Sequence, residues 1–315
     1  MCTAVSFSGH RHYFGRNLDL EHSYGECVAV TPRRYPFTFR SGETMAHHYA
    51  MIGMAHISHG YPLYYEATNE RGLSAAGLNF PHSCVYHSRR ADKINVAPFE
   101  LIPWLLGRCA TLREAHRQLQ TLNLCREDFS PRLPVSPLHW LIADKTGALV
   151  VESTAQGLQI YENDTGVLTN EPPFPFHRAN WQQYHALTPR EPSAPVFSRG
   201  LGTFGLPGGL DSASRFVRAA FTVRHALPGG TKDESVSRFF RILDTVAQTR
   251  GCCYLGGSDY EETLYSCCCS DAGVYYYATA TNRSLTAVDM RRENLAQTTL
   301  ITYPLQTFLR IEHQN

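Results

Sequence analysis

Cys2 directly follows the initiator methionine, so loss of Met1 would leave a thiol and a free α-amine on one residue. A free thiol titrates near ~8.5 and an α-amine near ~7.7–8.0. Close to neutral pH part of the amine is therefore unprotonated and able to accept the thiol proton, a known way of pairing nucleophile and base. The same stretch supplies Arg16 and Asp19. If Ser8 to His12 form a turn, Cys2–Ser6 folds against Tyr13–Asn17 as a hairpin and brings both charges back towards Cys2. There a guanidinium favours thiolate and depresses the amine pKa, and a carboxylate holds the amine. Taken alone, Cys2 reads more readily as a small buried hydrophobe, with Arg16 and Asp19 as an ordinary ion pair.

Two asparagines end predicted strands further along. Asn79 closes the small-residue stretch Gly72–Phe80, where other backbones or a ligand can approach closely, and Asn170 closes Gly166–Thr169. Each on its own reads as a turn former. Arg215 falls in the first turn of a helix that starts at Asp211, where the helix dipole disfavours a cation. That misfit points to a task elsewhere, against the alternative of a solvated surface arginine.

The elements that must position these residues come in blocks. The N-terminal hairpin is followed by strands at Cys27–Thr31, Tyr49–Ile57, Leu63–Ala67 and Gly72–Phe80, with Arg33–His48 as a loop. Helices are expected over Pro98–Cys109 and from Thr111, where Thr111 and Glu114 form a capping box; both are expected on one face of a sheet. Leu138–Ala143 and Ala148–Ser153 form a hairpin, followed by short strands at Leu158–Tyr161 and Gly166–Thr169. Helical spacing returns over Pro173–Leu187. After a Gly, Pro and Ser-rich loop at Ala194–Gly209, further helices run from Asp211 and over Glu234–Thr249. The C-terminal part is strand: Glu262–Ser270, Gly273–Thr281, Ser284–Asp289 and Leu300–Tyr303. Strands and helices arriving in blocks imply antiparallel sheets with separate helical layers rather than β-α-β units. The expectation is an α+β, four-layer αββα single domain spanning residues 1–315.

Composition narrows the function classes. With 43% hydrophobic and 18% charged residues the chain has the make-up of a soluble globular protein. A net charge of +1 argues against a nucleic-acid or anionic-membrane surface. No apolar run approaches the ~18 residues of a membrane span, and no charged-then-apolar leader opens the chain, so the expected location is cytoplasmic. The ten cysteines show no C-x-x-C zinc spacing, and the Cys252–Cys253 and Cys267–Cys269 groups read as packing rather than a disulfide framework. The fifteen histidines are scattered.

Five motifs in order, Met1–Thr3, Gly15–Asp19 (GRNLD), Gly77–Pro81 (GLNFP), Leu168–Asn170 (LTN) and Ser214–Arg218 (SRFVR), resemble the choloylglycine hydrolase family of bile salt hydrolases and penicillin V acylases. The resemblance runs from Met1 to about Leu305. It implies the N-terminal nucleophile hydrolase fold and cleavage of a linear amide without metal or organic cofactor. By motif position, Cys2 is the nucleophile and its amine the base; Asp19 and Arg16 orient and tune them. Asn170 and Asn79 fall where the family builds its oxyanion hole, and Arg215 where it places a further active-site arginine. Oxyanion donors are typically worth roughly 3–4 kcal/mol each. Asn at position 79 resembles the bile salt hydrolases, many penicillin V acylases having Tyr there. The implied substrate is a conjugated bile acid, its anionic end served by Arg199, and the implied assembly a homotetramer. A penicillin V acylase is the nearest alternative; a non-catalytic binder of apolar ligands or a thiol redox protein are alternatives of another class. The chain departs from the family's Leu-Pro-Gly-Asp at Leu206–Gly209, with Asp211 two residues later, and its C-terminal cysteine groups are unusual for the family.

Overall fold

In the computed structural model, which describes residues 1–193, 198–309 and 311–315, Cys2–Ser8 (β1) and His12–Leu20 (β2) form the expected hairpin. Cys2 lies opposite Leu18 and Ser8 opposite His12. Eight of the nine residues of β2 are buried. A strand exposed on one face would alternate; this one is covered on both faces. It lies in a seven-stranded sheet ordered Val167–Leu168, β1, β2, Asp259–Ser270, Val274–Thr279 and Thr286–Asp289, with Cys253–Gly256 paired beside Asp259–Ser270. Close packing within this sheet explains the glycine of the GRNLD motif. A Cβ on Gly15 would lie 1.9 Å from the Cys267 carbonyl oxygen, so no side chain fits where β2 passes the cysteine triplet.

The second sheet has eight strands, in the order Gly157–Glu162, Gly147–Thr154, Leu138–Asp144, Ser74–Asn79, Tyr61–Asn69, Met51–Ser58, Cys27–Thr31 and Ile301–Pro304. Every paired neighbour in both sheets is antiparallel. Apolar side chains from both sheets, among them Val5, Phe14, Val30, Ile52, Met54, Leu141 and Cys267, share one buried cluster.

The helices take the outer faces. Leu101–Arg108 (α1) and Leu112–Leu119 (α2) cover the eight-stranded sheet through Leu101, Trp104, Leu105, Leu112 and Ala115. Phe174–Gln182 (α3), Ser212–His225 (α4) and Lys232–Asp244 (α5) cover the seven-stranded sheet through Phe174, Phe216, Phe239 and Leu243. The αββα layering read from the order of elements is what the chain adopts.

Details differ for local reasons. The Thr111 hydroxyl accepts from Glu114 N, but Glu114 Oε2 accepts from Ala110 N, one residue before the cap, so the box closes out of register. The reciprocal box lies instead at Thr231 and Glu234, and it starts α5 two residues earlier than expected. Helix α5 ends at Asp244 and α3 at Gln182, short of Thr249 and Leu187. The Arg33–His48 loop contains a small hairpin, Phe37–Thr38 with Thr44–Met45. Cys253–Gly256 and the parallel pair Ile94–Val96 with Leu122–Leu124 are strands that short length hid. Residues 194–197 of the expected Ala194–Gly209 loop lie outside the described residues.

Candidate active site

Cys2 opens β1 at the end of the sheet, 3% exposed. Its backbone nitrogen donates to Asn170 Oδ1 at 2.8 Å, so a residue 168 positions away reaches the first strand. Val167–Leu168 pairs with β1 opposite Val5 and Ala4 and thereby carries Asn170 to the Cys2 end. The Asn170 main chain is pinned on both sides: its N–H donates to Ser212 Oγ (2.9 Å) and its carbonyl accepts from His177 Nε2 (2.9 Å). Its Nδ2 donates to the Asn79 carbonyl (2.8 Å). One Nδ2 hydrogen is thereby used and the other remains. The two strand-end asparagines meet, Asn79 by its backbone and with its side chain exposed.

Arg215 resolves its misfit at the start of α4 by turning inward. Fully buried, it donates from Nη1 to the Cys2 carbonyl (2.5 Å) and Thr3 Oγ1 (2.7 Å), from Nη2 to Asn170 Oδ1 (2.8 Å), and from Nε to the Leu210 carbonyl (2.8 Å). The helix end itself is capped by Asp211, which accepts from Ser214 N. A Cβ on Gly209 would come within 2.6 Å of Asp211 Oδ2. The sequence's departure at Gly209 therefore leaves room for the cap carboxylate that stands two residues later.

Asp19 and Arg16 sit on β2 with no exposure to speak of. Asp19 accepts from Thr263 Oγ1 (2.6 Å) and Gln248 Nε2 (3.3 Å), and its carbonyl accepts from the Met1 ammonium (2.9 Å). Burial pushes the Asp19 carboxyl up, against Arg215, the Thr263 hydrogen bond, the N-terminal ammonium and Arg16, which pull it down. The Met1 ammonium, which also contacts the Glu261 carboxylate, is pushed down first by burial; Arg215 and Arg16 act in the same direction, Cys2 and Asp19 against it. Arg16 donates from Nη1 to the Gly77 carbonyl (2.6 Å). Burial alone would lower its pKa, but Cys2, Tyr265 and Glu66 move it upward.

All six expected residues thus gather at one end of the paired sheets. Arg199 does not join them: it is exposed, and none of the hydrogen bonds described above reaches it. A cleft of about 420 Å³ lined by Arg71, Arg113, Asp144, Lys145 and Asp271 lies at the opposite strand ends, by the turns after Asn69 and Ser270, and contains none of the six.

Several supporting residues escaped the sequence reading. Glu66 lies buried between the sheets near Arg16. His139 bridges Glu152 Oε1 (3.1 Å) and the Thr169 carbonyl (2.9 Å) and stacks on Phe80 at 4.4 Å. Glu171 ties the loop after Asn79 down by accepting from His82 N and Ser83 N. Glu66 and Glu152 did carry a signal, a lone carboxylate within an apolar strand.

His177 behind Asn170 makes a testable contribution. Burial, ahead of the charges of His139 and Arg215, pushes its pKa down to about 4. Its Nδ1 is buried without a partner among the described residues. Because the folded value lies below the unfolded ~6.5, the unfolded chain binds the extra proton first. The stability from keeping His177 neutral is fully present above pH ~6.5 and is lost as pH falls towards 4. Urea midpoints should therefore fall across that window by up to about 3 kcal/mol in stability, and His177→Gln should flatten this part of the profile.

Comparison with known proteins decides the family. Residues 2–303 match the family described as linear amide C-N hydrolases, choloylglycine hydrolase family. The chain belongs to the choloylglycine hydrolase family. It is 49% identical to a bile salt hydrolase/transferase of Lactiplantibacillus plantarum, with 98% of each chain covered. It is 36% identical to a bile salt hydrolase/transferase of Clostridium perfringens over the whole of both chains. Among solved structures, a variant of the conjugated bile acid hydrolase from Clostridium perfringens superposes with a TM-score of 0.92 at 33% identity, covering 100% of both chains. Penicillin V acylase from Agrobacterium tumefaciens gives 0.78 at 17% identity over 98% of this chain and 99% of its own, a likeness of fold. This choloylglycine hydrolase family member is an amide hydrolase of the N-terminal nucleophile fold.

Proposed function

We propose that the enzyme is a bile salt hydrolase that releases glycine or taurine from conjugated bile acids, with residues 1–315 acting as one catalytic domain. The observation that carries the reading is the convergence of Arg215 and Asn170 on the backbone of Cys2. After loss of Met1, that backbone nitrogen becomes the α-amine. It takes the thiol proton, Cys2 Sγ attacks the amide carbon, and the carbonyl oxygen gains charge. The spare Nδ2 hydrogen of Asn170, with Asn79 beside it, faces that oxyanion. The ammonium returns its proton to the leaving nitrogen of glycine or taurine, and water, deprotonated by the amine, hydrolyses the thioester. Asp19 holds the amine, and Arg16 and Arg215 supply positive charge around the thiolate.

Substrate class is supported by the relatives' stated activities, by Asn at position 79, and by apolar side chains at the same sheet end. Leu20 pairs with Glu262 and Cys253 with Glu261 just beyond Cys2's level, so Tyr24, Tyr254 and Leu255, each about half exposed or more, lie at this end. A steroid needs such a surface. No helix among the described residues is long and apolar enough to cross a membrane; a cytoplasmic location and a homotetramer belong to the same reading, on family resemblance. Glycocholate, taurocholate and penicillin V assayed side by side test it: the conjugated bile acids should be turned over with kcat/KM at least about 10²-fold above penicillin V. Preference for penicillin V would reassign the enzyme within its family.

A further inference from the structure

Opposite Arg16, across the gap between the sheets, stands a carboxylate that the proposed chemistry does not use. Glu66 belongs to strand Tyr61–Asn69 of the eight-stranded sheet and is 2% exposed. Its Oε2 lies 3.9 Å from Arg16 Nε and accepts from Tyr265 Oη at 2.8 Å; its Oε1 accepts from Tyr275 Oη at 2.6 Å. Both tyrosines come from the seven-stranded sheet, from strands Asp259–Ser270 and Val274–Thr279, and both are buried. Tyr265 is level with Leu18, which is itself opposite Cys2.

The arginine is held as tightly. Nη1 donates to the carbonyls of Gly77 (2.6 Å) and Tyr65 (3.3 Å) and Nε to that of Asn17 (3.4 Å), whereas Nη2 is buried without a partner among the described residues. Two buried hydroxyls and a guanidinium thus converge on one carboxylate. Removing two such groups from water is costly, and a pair of this kind is often no more stabilising than apolar residues of the same volume. A carboxylate that served packing alone would not need two dedicated tyrosine donors and an arginine that is itself part of the site.

We propose that Glu66, anchored by Tyr265 and Tyr275, is a positioning residue that fixes the Arg16 guanidinium and limits how much of its positive charge reaches Cys2. With Glu66 ionised, the pair is near neutral; the orientation of Arg16, rather than a free unit charge, then sets the field at the thiol. On balance burial pushes the Glu66 carboxyl up, with Arg16, Tyr275 and Tyr265 pulling it part of the way back; what favours the anion is the geometry, two tyrosine hydroxyls donating to its oxygens and a guanidinium beside them. The inference rests on the reading of Cys2 as nucleophile but not on the bile acid substrate.

The test measures alkylation of Cys2 by iodoacetamide against pH, followed on the Cys2 peptide by mass spectrometry, in the wild type and in Glu66→Gln. Glutamine keeps the volume and one acceptor and removes the charge. The alkylation midpoint should move down by about one pH unit, with kcat for amide hydrolysis reduced and KM unchanged. An unchanged midpoint, with only the thermal midpoint lowered, would show that Glu66 serves packing alone and would overturn the proposal. If Glu66→Gln does not fold, Tyr275→Phe decides: it leaves the charge but releases one anchor, so kcat should fall about tenfold at constant KM, and unaltered kinetics would overturn the proposal. A shifted midpoint in an enzyme that cleaves no bile acid would sink the substrate reading and leave this one standing.

Discussion

Cys2→Ala should abolish amide hydrolysis, by at least about 10⁴-fold, while the chain keeps its fold. The contacts that hold residue 2 in place are made by its backbone: the nitrogen to Asn170 and the carbonyl to Arg215. Alanine retains them all. What is lost is one buried sulfur, a packing change of about 1–2 kcal/mol. Release of glycine from glycocholate, read by amino-acid analysis, should fall to background, while near-ultraviolet circular dichroism stays that of the wild type. Turnover within tenfold of wild type would remove Cys2 from the chemistry, and an active enzyme whose intact mass still includes Met1 would remove the amine from its role as base.

Asn170→Ala should lower kcat by about 10²–10³-fold, the second largest effect. Two consequences are separable. Loss of Nδ2 deletes the donor assigned to the developing oxyanion in the proposed mechanism. Loss of Oδ1 leaves Cys2 N and Arg215 Nη2, both buried, short of an acceptor, at a stability cost of about 1–3 kcal/mol. Iodoacetamide alkylation of Cys2 builds no oxyanion and so distinguishes them. If Asn170 acts on the transition state, alkylation should stay within a few-fold of wild type as hydrolysis collapses. If both fall together, Asn170 matters for the nucleophile itself, and the oxyanion assignment fails.

The layered fold was legible because its signals are local. Tight turns such as Asp144–Gly147 and Ser8–His12 announce antiparallel pairing, and the helices cluster where apolar spacing changes. Within the site, legibility tracked how odd a residue looked where it stood. Arg215 at a helix start was out of place electrostatically, and it is the residue that turns inward to clamp Cys2. Asn79 and Asn170 looked like turn formers, and only tertiary pairing of Val167–Leu168 with β1 joins them. Glu66 could not be given a role from the chain alone, because Arg16, Tyr265 and Tyr275 come from strands far away in sequence; Glu152 and His177 have nearer partners, His139 across a hairpin and the Asn170 carbonyl, but only the fold buries them together behind Asn170. The capping box expected at Thr111 closes out of register because Ala110 N competes for Glu114 and no local rule ranks the two donors, whereas the box at Thr231 was not anticipated.

The way β1 begins has a practical consequence. Its first residue is locked into the sheet at Cys2, with the preceding Met1 already pressed between the Asp19 carbonyl and Glu261. An affinity tag fused ahead of Cys2 would convert the amine that the proposed mechanism uses as base to an amide and thread extra chain through that crowded corner. Residues 311–315, in contrast, are exposed and form neither helix nor strand. Purification handles, fluorophores and surface tethers therefore belong on the 311–315 side of the fold, and on the proposed mechanism material tagged ahead of Cys2 should gain activity only once the tag is cut to leave a bare cysteine.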